Sequence, residues 1–394
     1  MMPPQKMTPT ERRAAASLAS VMSLRMLGLF MILPVFTLYA NQLIGATPAL
    51  IGMAMGIYGL TQGIFQIPFG MLSDHFGRRK IIVLGLLIFI IGCIISALSH
   101  TITSMIIGRA LQGVGAIGST VIAMIADLTR EEQRTKAMAI AGMMIGLSFS
   151  LAMIIGPLFA NWINIFWLAA LFGGAAILIL YTWVPAPTKP TWHSDAEPEL
   201  TQFSQIFKLA ELMRLNFGIF VLHVILTASF IVLPLSLQNM AGLASKQQWL
   251  LYLPTLLIAF LFSIPLIVIA EKKHHLKAFF LGAIFVLGCA ECLLWIFSHS
   301  LLLSALSLLL FFTAFSLLEA FLPSLVSRTA PASRKGTALG IYSCSQFLGI
   351  FIGGALGGWL YGKLGLTQVY LFCLTLITLW FVVAFGMKKP QYSR

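Results

Sequence analysis

Positive charge recurs along this chain with a strict rhythm. Of its 25 Lys and Arg residues, 21 fall into seven short triplets, which open at Lys6, Arg78, Arg130, Lys189, Lys272, Arg328 and Lys388. The intervening connections hold only Lys246 and Lys363, and the last two cations, Arg25 and Arg109, lie inside apolar segments. Lys and Arg are retained in cytoplasmic loops of membrane proteins because moving them across the bilayer is costly. Alternation of this kind therefore predicts both the number of crossings and their direction: twelve, with both termini in the cytoplasm.

Composition excludes the competing explanation of the charge. A net charge of +13 would suit a nucleic-acid binder, but 59% of the residues are hydrophobic and only 9% charged, too few polar groups to cover a soluble globule of this size. The basic triplets are also dispersed and lack interleaved aromatic residues. A lipid bilayer is the expected partner, and nucleic acid is not. Residues 1–16 are polar and basic, and the apolar run after them is too long for a signal peptide, so the first helix is expected to remain. Cys93, Cys289, Cys292, Cys344 and Cys373 are odd in number and lie in apolar spans, which argues against a disulfide framework. The pair Cys289 and Cys292 reads as packing rather than metal or redox chemistry.

A membrane-spanning helix needs about 20 apolar residues. The sequence offers such runs, numbered here as spans 1 to 12, at 17–40, 49–71, 80–98, 101–126, 135–157, 163–184, 215–237, 247–270, 277–297, 301–326, 335–361 and 366–387. The long connection 185–213 opens with Pro185, Pro187 and Pro190, then places Leu200, Phe203, Phe207 and Ala210 at helical spacing. It is expected to be a cytoplasmic linker carrying an interfacial helix. The predicted organisation is a six-helix bundle over 1–184, the linker over 185–213, and a second six-helix bundle over 214–394.

The halves look duplicated. Pro68 precedes Asp74 as Pro265 precedes Glu271, Arg25 corresponds to His223, and the basic run from Arg134 corresponds to that from Arg334, all at nearly one offset. Copies with an even number of crossings insert in the same orientation. Parallel repeats of this kind form transporters that alternate access around a midplane site.

Three segments carry a family resemblance. GMLSDHFGRRK, from Gly70 to Lys80, resembles the signature of the major facilitator superfamily between its second and third helices, with Gly70, Asp74, Gly77, Arg78, Arg79 and Lys80 at the expected spacing. GRALQGVGA, from Gly108 to Ala116, resembles that family's fourth-helix element. Gly156 and Pro157 resemble its antiporter element in part, since Ala152 and Ala160 stand where glycines are usual in drug/proton antiporters. The similarity extends to members that carry a small ferredoxin-like cytoplasmic domain after span 12; as the sequence ends at Arg394, what that domain does is expected to be absent or supplied elsewhere. The resemblance implies that Asp74, Arg78 and Asp127 form a conformational latch, with Gly70, Gly77 and Arg79 shaping the same loop. It also implies that spans 2, 5, 8 and 11 meet between bundles, which makes Gly156, Pro157, Gly353, Gly354 and Gly357 either a sliding surface or static packing.

Ionisable residues inside spans are expensive, at least about 2.5–3.5 kcal/mol each, and so are the default functional candidates. They are Arg25, Arg109, His223, Glu291 and Glu319. Arg25, Arg109, His223 and Glu319 fall on spans 1, 4, 7 and 10, which the resemblance assigns to the central cavity, and are expected to serve substrate binding and proton coupling. Glu291 on span 9 reads as a protonated or locally paired structural group. An enzyme would need a nucleophile with its base, or grouped metal ligands, whereas His274 and His275 have no carboxylate cluster beyond Glu271; no metal or cofactor is expected. A channel would need a pore loop, and none is visible. The reading is an all-α integral membrane protein of twelve helices in two parallel bundles. It is expected to act as a monomeric secondary transporter in a bacterial inner membrane, coupling protons to efflux of a small molecule. Proton-coupled uptake or exchange of an anionic metabolite is the alternative.

Overall fold

A computed structural model describes residues 7–159, 164–185, 205–273, 275–331 and 334–388. Most of the expected linker helix, including Leu200 and Phe203, lies outside the described residues, as do Lys6, Ala160, Lys189, His274, Lys389 and Arg394.

The described chain is almost entirely α-helical. Its helices are α1 (Pro9–Phe30), α2 (Phe36–Ala40), α3 (Pro48–Phe76), α4 (Arg78–Ala97), α5 (Ile102–Val114), α6 (Gly118–Asp127), α7 (Glu131–Phe159), α8 (Ile165–Thr182), α9 (Ala210–Asn239), α10 (Trp249–Lys272), α11 (Leu276–Ile296), α12 (Leu301–Thr329), α13 (Lys335–Leu364) and α14 (Leu366–Phe385). Eleven helical segments among the described residues are long and apolar enough to cross a membrane, with α5 and α6 counted as one. Span 1, formed by α1 and α2, completes the twelve; Arg25 and several serines make α1 less apolar than the rest.

Two spans differ from their expected form. Span 1 is not continuous over 17–40: α1 starts early, at Pro9, because Thr8 and Glu11 form a reciprocal capping box. It stops at Phe30, short of Pro34, whose ring opposes the preceding helical turn. Span 4 is broken at 115–117. There Gly115 approaches α4 so closely that an added Cβ would lie 2.3 Å from the Gly85 carbonyl oxygen. Side-chain caps open other helices: Thr101 accepts from the Ser104 amide at 3.2 Å, Asn164 from the Phe166 amide at 3.1 Å and Ser300 from the Leu303 amide at 3.4 Å.

The chain forms two compact units. The first comprises 1–33 and 61–195, and the second 34–60 and 196–394. In the first, α1 packs on α7 and α8, while α4 packs on α5 and α8. In the second, α9 is the central element, with 94% of its spanning window buried. It packs on α12, α13, α14 and the short α2, and α11 joins α12 to α14. The N-terminal part of span 2 thus shares a unit with the second set of helices.

Candidate functional site

The ionisable residues of spans 7 and 10 converge within the second unit. His223 sits on the buried helix α9 and Glu319 on α12, with His223 Nε2 3.6 Å from Glu319 Oε1. Sequence reasoning missed the third member, Gln346 on α13, whose Nε2 lies 2.8 Å from His223 Nε2. An uncharged amide has no signal in a charge count, and its value is visible only once α13 packs on α9.

The hydrogen bonds fix what the ring can do. His223 Nδ1 lies 3.2 Å from the Ile219 carbonyl oxygen one turn back, and a carbonyl can only accept, so Nδ1 carries a proton. In the neutral ring the lone pair is then on Nε2, where it accepts the Gln346 amide. A second proton at Nε2 would displace that amide and place a cation beside Glu319. Glu319 Oε1 accepts no hydrogen bond from its surroundings, although the side chain retains 33% exposure. His223, at 6%, is nearly enclosed, with Phe315 on α12 against its ring at 6.0 Å. The arrangement has two proton-accepting atoms, a buried carboxylate oxygen without a hydrogen bond and a ring nitrogen held by an amide.

Arg25 and Arg109 are both buried in the first unit, 0% and 1% exposed. Arg25 Nη2 donates to Gln62 Oε1 at 3.2 Å and to the Gln112 carbonyl at 3.4 Å, and its guanidinium lies 5.6 Å over the Phe89 ring. Arg109 Nη1 donates to Gln112 Oε1 at 2.6 Å, and Gln112 Nε2 donates to Ser96 at 3.3 Å. Gln112 therefore joins the two arginines. These contacts hold both guanidinium groups within the first unit, where glutamine oxygens and an aromatic face make burial of the cations tolerable.

The loop residues assemble within the first unit. Arg78 forms an ion pair with Asp74 one turn before it, donates from Nε to Asp127 Oδ2 at 3.1 Å, and donates to Ser73 Oγ at 2.6 Å. Gly77 sits at φ +91°, a conformation that strains residues with a side chain. Gly70 faces Ser119, whose hydroxyl would be 3.4 Å from an added Cβ. Arg79 points elsewhere: it donates to the Val184 carbonyl at 2.7 Å and lies 5.7 Å over Tyr181, tying the start of α4 to the end of α8.

The glycines of α13 form two stripes. A Cβ at Gly353 would lie 2.5 Å from the Val224 carbonyl oxygen, and one at Gly357 would lie 3.0 Å from Ala228 Cα, so both meet α9 within the second unit. The one-turn spacing that aligns them aims both at that buried helix. Gly354 lies on a different face, where a Cβ would be 2.6 Å from the Gly52 carbonyl oxygen of α3. Gly156 and Pro157 are buried in α7.

Two further carboxylates were not assigned a site by the sequence. Glu291 on α11 is fully buried; Ser229 of α9 donates to its Oε1 at 2.6 Å, and Oε2 has no hydrogen-bond partner. Glu11 is 6% exposed and held by Arg130, which donates at 2.8, 3.0 and 3.0 Å from Nε, Nη2 and the backbone amide. That guanidinium holds the Glu11 carboxyl well below the usual carboxylate range, against the opposing effect of its burial.

The whole chain can be placed among known proteins. The model of the Major Facilitator Superfamily matches residues 18–353 and, in a second match, 244–394. The inner membrane transport protein YajR of Escherichia coli (strain K12) is 45% identical over 390 residues, which cover 98% of this chain and 86% of that protein. Among solved structures, a bacterial homologue of the human lysosomal transporter Spinster, in an inward-facing conformation, superposes with a TM-score of 0.74 at 15% identity, covering 98% of this chain and 99% of that one. A D-xylose–proton symporter gives 0.71 at 18% identity, covering 97% and 98%. Both share the fold. A family match over nearly the full length, with a relative at 45% identity, leaves one assignment: this chain is a multi-pass membrane transporter of the major facilitator superfamily.

Proposed function

We propose that the chain couples proton movement to efflux of a small molecule across a bacterial inner membrane, and that Glu319 carries the proton. The observation that carries this reading is the meeting of His223, Glu319 and Gln346 at one point of the second unit. A carboxylate charged inside hydrocarbon costs at least about 2.5–3.5 kcal/mol, and loading a proton removes that cost. Entry of water, or a proton on His223, would instead favour the charged carboxylate and release. A conformational cycle that changes water access at Glu319 would thereby load the proton on one side and release it on the other.

In the same reading the Asp74–Arg78–Asp127 cluster is a latch on the cytoplasmic side, both termini are cytoplasmic, and the monomer is the working form. Arg25 and Arg109 stiffen the first unit through Gln112 and act on substrate only indirectly. The basic triplets and the inner-membrane relative support the orientation and location.

The test is profiling of extracellular metabolites from a strain that overexpresses the chain, with and without an uncoupler. A compound should accumulate outside, lose that accumulation with the uncoupler, and fail to accumulate when Glu319→Gln is expressed. Accumulation insensitive to both would remove proton coupling through Glu319.

A further inference from the structure

The second unit carries an apolar groove of about 580 Å³ on the faces of α10, α11 and α12, lined by residues that include Phe262, Leu266, Ala278, Gly282, Leu310 and Leu317. Its floor at Gly282 is bare: a Cβ built there would meet nothing within 4 Å. On α10 the lining runs from about 15 to about 9 Å above the end at Lys272, and on α11 Ala278 and Gly282 lie about 3–9 Å above Leu276, at about 1.5 Å per residue. On α12 the lining from Leu309 to Leu317 lies about 18–30 Å before the end at Thr329, so the groove runs from near the basic loop to the middle of the spans. That depth is one leaflet of a hydrocarbon core about 30 Å thick.

Helical geometry puts polar groups at its mouth. Lys273 lies about two turns beyond Leu266 on the same face of α10, and His275 lies about one turn before Ala278 on the groove face of α11. On α12, Ser324 and Arg328 continue the face of Leu317; Arg328 donates to both Glu271 oxygens at 2.8 and 2.7 Å and to Ser324 at 3.3 Å. Lys272 and Lys273 are exposed, so the mouth stays cationic after Glu271 is counted. Other cations at this level turn inward instead: Lys277 donates to the Phe385 carbonyl at 2.9 Å, and Arg214 bonds Glu211 at 2.8 Å.

We infer that this groove is a binding site for an anionic phospholipid of the inner leaflet, one acyl chain lying between α10, α11 and α12 and the phosphate held by Lys272 and Lys273. An apolar slot of leaflet depth under a cationic rim matches both parts of such a lipid, and basic pockets between spanning helices favour anionic headgroups. The site is separate from the His223–Glu319 pair.

Native mass spectrometry of the purified full chain in mild detergent tests this, with phosphatidylglycerol and phosphatidylcholine of identical acyl chains as probes. The wild type should retain phosphatidylglycerol several-fold better. The double variant Lys272→Gln with Lys273→Gln should retain the two equally, and Gly282→Trp, which fills the slot, should retain little of either. Melting temperatures without added lipid check that the variants fold, and Leu310→Trp fills the same slot from α12 if Gly282→Trp does not. Equal retention of both lipids by the wild type overturns the proposal. So does undiminished phosphatidylglycerol binding by a folded slot-filling variant, since the rim alone would then account for it.

Discussion

Arg328 Nη2 reaches both carboxylate oxygens of Glu271, at 2.8 and 2.7 Å, and so gives the second half of the chain its own version of the cluster around Arg78. Glu271 corresponds to Asp74 in the repeat. At the end of span 10, Arg328 stands where span 4 has Asp127. With the sign at that position reversed, the second half closes its pair directly and needs no arginine in the loop, while the first half needs Arg78 to hold two acids together.

The two clusters should differ in strength. Arg328 and Glu271 are 32% and 37% exposed, and a pair so open to water contributes about 0–1 kcal/mol. Arg78 is 17% exposed and has Asp74, Asp127 and Ser73 as partners, and charged hydrogen bonds of that kind contribute about 1.5–3 kcal/mol each. Arg78→Ala should lower thermal stability in detergent clearly, and Arg328→Ala barely. Asp74→Asn and Asp127→Asn should slow turnover with little change in substrate affinity; wild-type rates in both would remove the latch role.

The close approach of α3 and α13 gives a steric prediction. A Cβ at Gly52 would sit 2.2 Å from the Gly354 carbonyl oxygen, whereas one at Gly340 meets nothing within 4 Å. Gly52→Val should force these helices apart and abolish transport, while Gly340→Ala, as its control, should melt and transport like the wild type. Full activity in Gly52→Val would mean that the helices never need to be this close.

Much of this was legible because charge placement and hydropathy are properties of segments. The alternating triplets predicted the number of spans, and the family resemblance brought Asp74, Arg78 and Asp127 together. Gln346, Gln62 and Gln112 were not legible. Each is a neutral side chain in an apolar run, and its role arises only from tertiary contact with His223, Arg25 or Arg109. The glycines of α13 were legible only as a pattern, since spacing shows that Gly353 and Gly357 share a face but not that the face meets α9 while Gly354 beside it meets α3. Glu11 was overlooked because its partner, Arg130, looked like an ordinary loop cation. Arg328 was within reach, as the repeat offset carries Asp127 close to it.

Glu11 sets a pH dependence of stability. Its carboxyl is held below the usual range by Arg130, so the folded state binds this proton less readily than the unfolded chain. The stabilisation is complete above the unfolded value of about 4.3 and is lost as pH falls through the depressed folded value. The stability difference between the wild type and Glu11→Gln should therefore be constant from about pH 8 to about pH 5.5 and shrink at more acid pH. Melting curves across that range check it; a difference that grows on acidification would contradict the ion pair.

The orientation implied by the basic triplets can be tested on whole cells. Gln42 and Ser300 lie in connections without Lys or Arg, and His75 lies in a basic one. Single cysteines at 42 and 300, in a chain with its five native cysteines replaced, should react with an impermeant thiol reagent added outside. One at position 75 should react only after the membrane is opened. Labelling of all three from the same side would overturn the twelve-span topology.

Glu319 gives the sharpest functional test, because Gln has nearly the same shape but cannot take up or release the proton. If the carboxyl alternates between neutral and charged forms as water access changes, Glu319→Gln imitates the loaded state permanently. The transporter should still bind and exchange substrate, since no step would then require the charge, yet a proton gradient would have nothing to act on. His223 Nε2, 3.6 Å away, should matter differently. His223→Gln removes the cation that favours release and should slow driven transport without abolishing its response to pH. In proteoliposomes, with the substrate found by metabolite profiling, Glu319→Gln is expected to show counterflow at near wild-type rate and no acceleration by an imposed pH gradient. Gradient-driven accumulation by that variant would move the coupling site elsewhere, and Glu291, the fully buried carboxyl on α11, would be the next residue to replace.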